Sequence, residues 1–138
     1  MPNFLLADDK AVARRALRSI LTDEFNGGMT YTEVEDGVEA VEKAQSMHPD
    51  VVLLDLVMPR LNGLKAAQQI LETCPETKIL VFSMYDPKPL YDKLKEAGVR
   101  GFVPKSSAGL ELVPAIEALL EGKTFFGLPA SNPLGETA

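Results

Sequence analysis

The chain has 138 residues, a formal net charge of -6 at pH 7 and a pI near 4.8. This length suits one domain that buries a core without disulfides or structural metals. The negative charge argues against nucleic acid or an anionic membrane as a partner, because both would be repelled. The single cysteine, Cys74, excludes an internal disulfide, no histidine partner for it is evident, and neither a membrane span nor a signal-like N-terminus is found. We therefore expect a reduced, cytoplasmic protein.

Short apolar runs alternate with amphipathic stretches along the chain. The runs predict strands at residues 4–7, 29–34, 51–54, 79–82 and 101–103. A stretch with helical periodicity follows each of them. Five such strand and helix units in strict alternation predict an α/β domain, with a parallel sheet, right-handed crossovers and helices on both faces.

The first helix shows the pattern most fully. Its apolar face is predicted to consist of Val12, Ala13, Ala16, Leu17, Ile20 and Leu21. The three arginines of the same segment, Arg14, Arg15 and Arg18, are predicted to lie on the opposite face.

Asp55 is the most informative single residue, because it ends an unbroken apolar run. Such a run, bounded by Pro49 and Pro59, is typical of a parallel strand buried on both faces. Ligand sites of open α/β sheets lie at the carboxyl ends of the strands, which makes Asp55 a candidate site residue. Taken alone, the residue is explained equally well as a helix N-cap or a turn aspartate.

Polar residues also follow the other strands, and all of them are expected at the same edge of the sheet: Asp8, Asp9, Asp55, Ser83 and Lys105. Each has a structural explanation of its own, as a cap, a turn residue or a surface lysine. Four coincident strand ends favour a functional explanation for the set. Three neighbouring carboxylates repel, so we expect compensation by Lys105 and a bound cation. Oxygen ligands favour Mg²⁺, with Mn²⁺ as a substitute and Ca²⁺ less suitable.

The motifs around these positions resemble the receiver domain of two-component response regulators, from about residue 3 to residue 124. The motifs are Leu-Leu-Ala-Asp8-Asp9, Val-Val-Leu-Leu-Asp55-Leu-Val-Met-Pro59 with Asn62-Gly63, Val-Phe-Ser83, and Gly-Phe102-Val-Pro-Lys105. The segments beginning at Ser83 and at Glu121 most resemble the NarL/FixJ type. The resemblance implies a flavodoxin-like (CheY-like) doubly wound sheet of five parallel strands, in the order 2-1-3-4-5.

The resemblance also implies a chemistry. Asp55 would accept a phosphoryl group from a histidine kinase or a phosphotransfer protein. The carboxylates of Asp8, Asp9 and Asp55 and the backbone carbonyl of Val57 would hold Mg²⁺. The protein would be a regulatory phosphoacceptor, not an enzyme, although it would catalyse its own phosphorylation.

Two further residues would respond to the phosphoryl group. By the same resemblance, Ser83 and Lys105 would bind it, and movement of Ser83 would leave space into which Phe102 rotates as the switch. Phe102 has no hydroxyl, so its two rotamers would differ by packing alone. Val57 and Tyr85 would border the path of hydrolytic water, and neither readily acts as a base, so we expect slow autodephosphorylation.

Two other functional classes are weaker. An aspartyl-nucleophile phosphatase of the haloacid-dehalogenase type would normally carry a second aspartate two positions after Asp55, where this chain has Val57. A flavodoxin-like cofactor carrier would need a phosphate-binding loop after the first strand, where Asp8 and Asp9 would repel the phosphate.

The expected domain organisation is a receiver at residues 1–124 followed by a tail or linker remnant at residues 125–138. The chain would then be a stand-alone receiver or a truncated transcription regulator. Expected partners are the phosphodonor, a downstream protein target and a second copy of the chain after phosphorylation. No direct contact with nucleic acid or a membrane is expected.

Overall fold

The computed structural model describes residues 1–84 and 88–126, which contain a parallel sheet in the order β2-β1-β3-β4-β5-β6. Its strands are β1 (Asn3–Ala7), β2 (Thr30–Val34), β3 (Val51–Leu54), β4 (Lys78–Ser83), β5 (Gly101–Pro104) and β6 (Phe125–Phe126). The predicted order of the first five strands is confirmed. The predicted total of five was wrong, because β6 pairs in parallel with β5 just beyond residue 124.

In the described part of the chain, five α-helices cover the two faces of the sheet. They are α1 (Ala11–Phe25), α2 (Gly37–Met47), α3 (Gly63–Thr73), α4 (Tyr91–Ala97) and α5 (Ala108–Leu120). Within residues 1–84 and 88–126, no helix has the length and apolar character needed to cross a bilayer.

The core consists of two clusters, one on each face, because successive residues of a strand point to opposite faces. In β1, Leu5 and Ala7 belong to the cluster that contains buried residues of α2, α3 and α4, whereas Phe4 and Leu6 belong to the cluster that contains those of α1 and α5. All of these strand side chains are buried. The sheet is therefore covered on both sides, as the continuous apolar runs predicted.

The predicted apolar face of α1 was partly wrong. Leu17 and Leu21 are buried, but Val12 is 73% exposed and Ala16 is also exposed. At about 100° per residue, Val12 and Ala16 point about 140° and 100° away from Leu17, whereas Arg14 lies only about 60° from it. The buried stripe is therefore narrower than predicted, and Arg14 flanks it.

Candidate functional site

The two buried acids of the site lie side by side because their strands are in register. Ala7 and Leu54 are partners in the β1–β3 pair, so Asp8 and Asp55 follow them at the same level of the sheet edge. The amide of Asp55 donates to the carbonyl of Ala7 at 2.9 Å. Asp8 is 1% exposed and Asp55 is 4% exposed. Oxygen atoms of Asp8, Asp9 and Asp55 all lie within 4.8 Å of one another.

Lys105 supplies a positive charge between the two buried acids. It directly follows β5, and its Nζ lies 2.6 Å from Asp8 Oδ2 and 3.4 Å from Asp55 Oδ2. Its side chain is 14% exposed. The structure therefore brings together all three predicted carboxylates and the predicted ammonium.

The pKa of Asp55 is raised above its ordinary value. Burial is the main cause, and the neighbouring charge of Asp8 acts in the same direction. The amide of Val57, which donates to Asp55 Oδ1 at 3.2 Å, and the ammonium of Lys105 act in the opposite direction. The balance indicates that the nearby protein groups only partly compensate the Asp55 carboxylate.

Ser83 and Phe102 lie on neighbouring strands and on the same face of the sheet. Ser83 ends β4 opposite Pro104, and Phe102 is the partner of Val81, two residues before Ser83. Both side chains are buried. The Phe102 ring packs against the ring of Tyr91, with 6.1 Å between their centroids.

Of the two residues predicted to border the path of hydrolytic water, the structure describes only Val57. The side chain of Val57 is 54% exposed beside the acidic cluster. Tyr85 lies outside the residues that the structure describes.

Arg14 is a site residue that sequence reasoning missed. Its predicted position on the face opposite the apolar residues was wrong, because it lies beside the buried stripe and its side chain is only 12% exposed. Its Nη1 donates to the carbonyl of Asp8 at 2.6 Å, and its Nε donates to Glu33 at 2.8 Å. The four-residue spacing of Arg14 and Arg18 was the available signal, since it places both guanidinium groups on one side of α1.

Cys74 does have a histidine neighbour, contrary to the expectation from the sequence. Its Sγ lies 3.4 Å from Nδ1 of His48, the C-cap residue of α2. Cys74 is completely buried. Only the cysteine side of this contact is buried, because His48 itself is exposed.

The backbone after Asp55 is held against the start of α3, where Gly63 leaves no room for a side chain. Asn62 caps α3 by accepting from the amide of Lys65 at 3.0 Å, and the amide of Gly63 donates to the carbonyl of Leu56 at 2.9 Å. A Cβ on Gly63 would lie 2.4 Å from the Asp55 carbonyl oxygen and 2.6 Å from the Leu56 Cα. Both obstacles are backbone atoms, so the lack of a side chain at Gly63 allows the loop after Asp55 to lie against α3.

Gly63→Ala should therefore lower the free energy of unfolding by about 1–3 kcal/mol, because the backbone must move to admit the methyl group. Chemical denaturation would measure the change. Gly109→Ala in α5 is the matched control, since a Cβ there meets nothing within 4 Å. It should raise the free energy of unfolding by about 0.5–1 kcal/mol through helix propensity. Equal changes in the two variants would show that the close approach at Gly63 is unimportant.

The comparison with protein families decides the class of this chain. The family model described as "Response regulator receiver domain" matches residues 4–117. This chain belongs to the response regulator receiver family. Its fold is therefore that of a receiver domain of two-component signalling.

Individual relatives agree with this assignment. The chain is 34% identical over 132 residues to the oxygen regulatory protein NreC of Staphylococcus epidermidis. The aligned region covers 95% of this chain and 60% of NreC. A two-component response regulator of the LuxR family from Aurantimonas has a TM-score of 0.85 at 31% identity, over 98% of this chain and 96% of that one. The NarL receiver of Mycobacterium tuberculosis has a TM-score of 0.79 at 27% identity, over 88% of this chain and 98% of that one.

These relatives confirm the predicted resemblance to the NarL/FixJ type of receiver. The chain spans about 60% of the length of the curated relatives that it matches.

Proposed function

We propose that this receiver takes a phosphoryl group on Asp55 from the phosphohistidine of a kinase or phosphotransfer protein. A carboxylate oxygen of Asp55 forms the new bond to phosphorus as the bond from phosphorus to the histidine nitrogen breaks, and the histidine is released. The observation that supports this proposal is the cluster of three carboxylates at the carboxyl edge of the sheet, in which Lys105 contacts Asp8 and Asp55.

The donor set at this edge fits Mg²⁺. Asp8, Asp9 and Asp55 offer only oxygen ligands, and Asp9 is exposed, so solvent has access to the cluster. The Val57 carbonyl is the fourth proposed ligand. When bound, Mg²⁺ would neutralise charge as two anions approach each other. Mn²⁺ offers the same coordination chemistry.

Lys105 and Ser83 are the proposed phosphate ligands from the protein itself. The Lys105 ammonium lies 3.4 Å from Asp55 Oδ2, so a small movement brings it to oxygens attached there. Its present contact with Asp8 keeps it next to the acceptor. The Ser83 hydroxyl would donate a second hydrogen bond from the adjacent strand.

Phe102 is the proposed switch residue. Movement of Ser83 towards the phosphoryl group would change the packing of the shared face, to which Phe102 responds by rotating away from Tyr91. We expect the Phe102 and Tyr91 ring signals in NMR spectra to shift together after phosphorylation. The Phe4 ring lies in the other core cluster and provides the internal reference. Unchanged Phe102 and Tyr91 signals would argue against the switch.

Val57 is proposed to prolong the phosphorylated state, because its exposed apolar side chain does not orient water. Val57→Asn should speed decay of the acyl phosphate about tenfold, since an amide holds water beside the phosphorus. Timed mass spectrometry of the purified phosphoprotein would measure the decay. Val57→Leu is the control and should decay as slowly as the wild type. Equal decay in Val57→Asn and the wild type would contradict the proposal.

Incubation with acetyl phosphate separates the proposed function from the other classes. A receiver should gain one stable acyl phosphate when Mg²⁺ is present and much less when a chelator is added. Steady release of phosphate without accumulation on the protein would instead support the phosphatase. A yellow protein on purification would support the flavin carrier.

A further inference from the structure

Arg14 connects the acidic cluster to β2. Its guanidinium donates to the carbonyl of Asp8 at 2.6 Å and to Glu33 Oε1 at 2.8 Å. Arg18 donates to the other oxygen of Glu33 at 2.7 Å. Glu33 therefore binds both arginines. Of the two, Arg14 also donates to the backbone carbonyl of Asp8.

The bond to the Asp8 carbonyl acts on two proposed metal ligands at once. That carbonyl belongs to the peptide group between Asp8 and Asp9, and a peptide group is planar. Fixing this plane restricts the backbone dihedral angles on either side of it. It therefore also restricts the directions in which the two carboxylate side chains project from their Cα atoms. The amide of Lys10 donates to Asp8 Oδ1 at 2.9 Å, so the backbone after the plane also holds the Asp8 carboxylate.

The charge of Arg14 adds to this effect. It is 12% exposed, so solvent screens its guanidinium less than that of an exposed arginine. Arg14 bonds to the Asp8 backbone carbonyl, so this contact leaves the carboxylate oxygens available to a metal. Hydrogen bonds from a charged donor are also stronger than those from a neutral one.

We propose that Arg14 is a positioning residue that orders the Asp8–Asp9 peptide for Mg²⁺ binding and thereby for phosphorylation of Asp55. This inference rests on the proposed function. Residues that orient metal ligands from outside the coordination sphere typically change metal affinity by about 10–100-fold when removed. Arg14 would act in this way through the backbone.

The test compares Arg14→Ala with Arg18→Ala, because both variants remove a guanidinium from Glu33 and only the first removes the bond to Asp8. Titration calorimetry of the unphosphorylated protein with MgCl₂ would give the affinity without relying on activity. Arg14→Ala should weaken Mg²⁺ binding at least about tenfold, and Arg18→Ala by less than about twofold. Thermal unfolding of each variant would show whether the fold is retained.

Acetyl phosphate kinetics provide a second measurement. In Arg14→Ala the Mg²⁺ concentration for half-maximal phosphorylation should rise by the same factor as the calorimetric constant. The maximal rate at saturating Mg²⁺ should remain close to that of the wild type. A general loss of structure would instead lower the maximal rate.

If Arg14→Ala does not fold, Arg14→Lys and Arg18→Lys can replace the two alanine variants in the same measurements. One ammonium replaces the planar fork that now reaches both Asp8 and Glu33, so Arg14→Lys should still weaken Mg²⁺ binding, and Arg18→Lys should not. Equal affinities in the paired variants would overturn the role of Arg14 alone. A wild type that neither binds Mg²⁺ nor accepts phosphate would overturn the proposed function as well.

Discussion

Asp55→Asn should abolish labelling of the protein by acetyl phosphate in the presence of Mg²⁺. The amide has the size of the carboxylate but lacks its nucleophilic oxygen and its charge. Intact-protein mass spectrometry would measure the loss. Asp50→Asn is the matched control, because Asp50 precedes the same strand at its other end, where it accepts from the amide of Asn3 at 2.7 Å. It should be labelled like the wild type.

The loss of labelling in Asp55→Asn should occur without loss of stability. The raised pKa of Asp55 shows that the folded protein disfavours its ionised form, so a neutral side chain relieves an unfavourable charge. The melting temperature should therefore equal or exceed that of the wild type. Labelling of Asp55→Asn at the wild-type rate would place the phosphoryl group elsewhere and contradict the proposed function.

The part of the site made by strand ends could be predicted from the sequence. Apolar runs fix where β1 and β3 end, and parallel pairing places those ends at one edge. The strand order implied by the resemblance to receiver domains then placed β1 next to β3, which makes Asp8 and Asp55 neighbours. Lys105 follows β5 by the same reasoning, although its distances to the two acids depend on side-chain rotamers.

Features that depend on contacts between elements could not be predicted in this way. Arginine is usually a surface residue, so its type gave no sign of a buried contact. Only the packing of α1 beside β2 brings Arg14 to Glu33 and to the Asp8 carbonyl. The strand β6 is two residues long, too short for a periodic signal. It is recognisable only because Phe126 pairs with Phe102 and packs against Tyr91.

Lys105→Met should lower the free energy of unfolding in metal-free buffer by about 3 kcal/mol, the low end of the cost of breaking a buried ion pair. The change leaves Asp8 and Asp55, whose side chains are 2% and 5% exposed, without their shared cation. Chemical denaturation would measure it. Lys123→Met is the control. Lys123 and its partner Glu121 are both exposed, so this change should lower the free energy of unfolding by less than about 1 kcal/mol.

The deficit of Lys105→Met should depend on pH in a defined direction. Burial already raises the pKa of Asp55, and loss of the ammonium should raise it further. A carboxyl group with a raised folded pKa favours the folded state while it is protonated, and this contribution is lost as pH rises through that pKa. The deficit should therefore be small in acid and grow towards neutral pH. A deficit of equal size at every pH would show that lost packing, not charge, causes it.

Mg²⁺ should reverse much of this deficit, because the metal would replace the missing positive charge. In the wild type the ammonium already offsets part of the charge of Asp8 and Asp55, so an incoming cation gains less there than in Lys105→Met. The variant should therefore bind Mg²⁺ more tightly than the wild type, and its stability should rise more steeply with Mg²⁺ concentration. Equal stabilisation of both proteins would show that the lysine and the metal do not share these carboxylates.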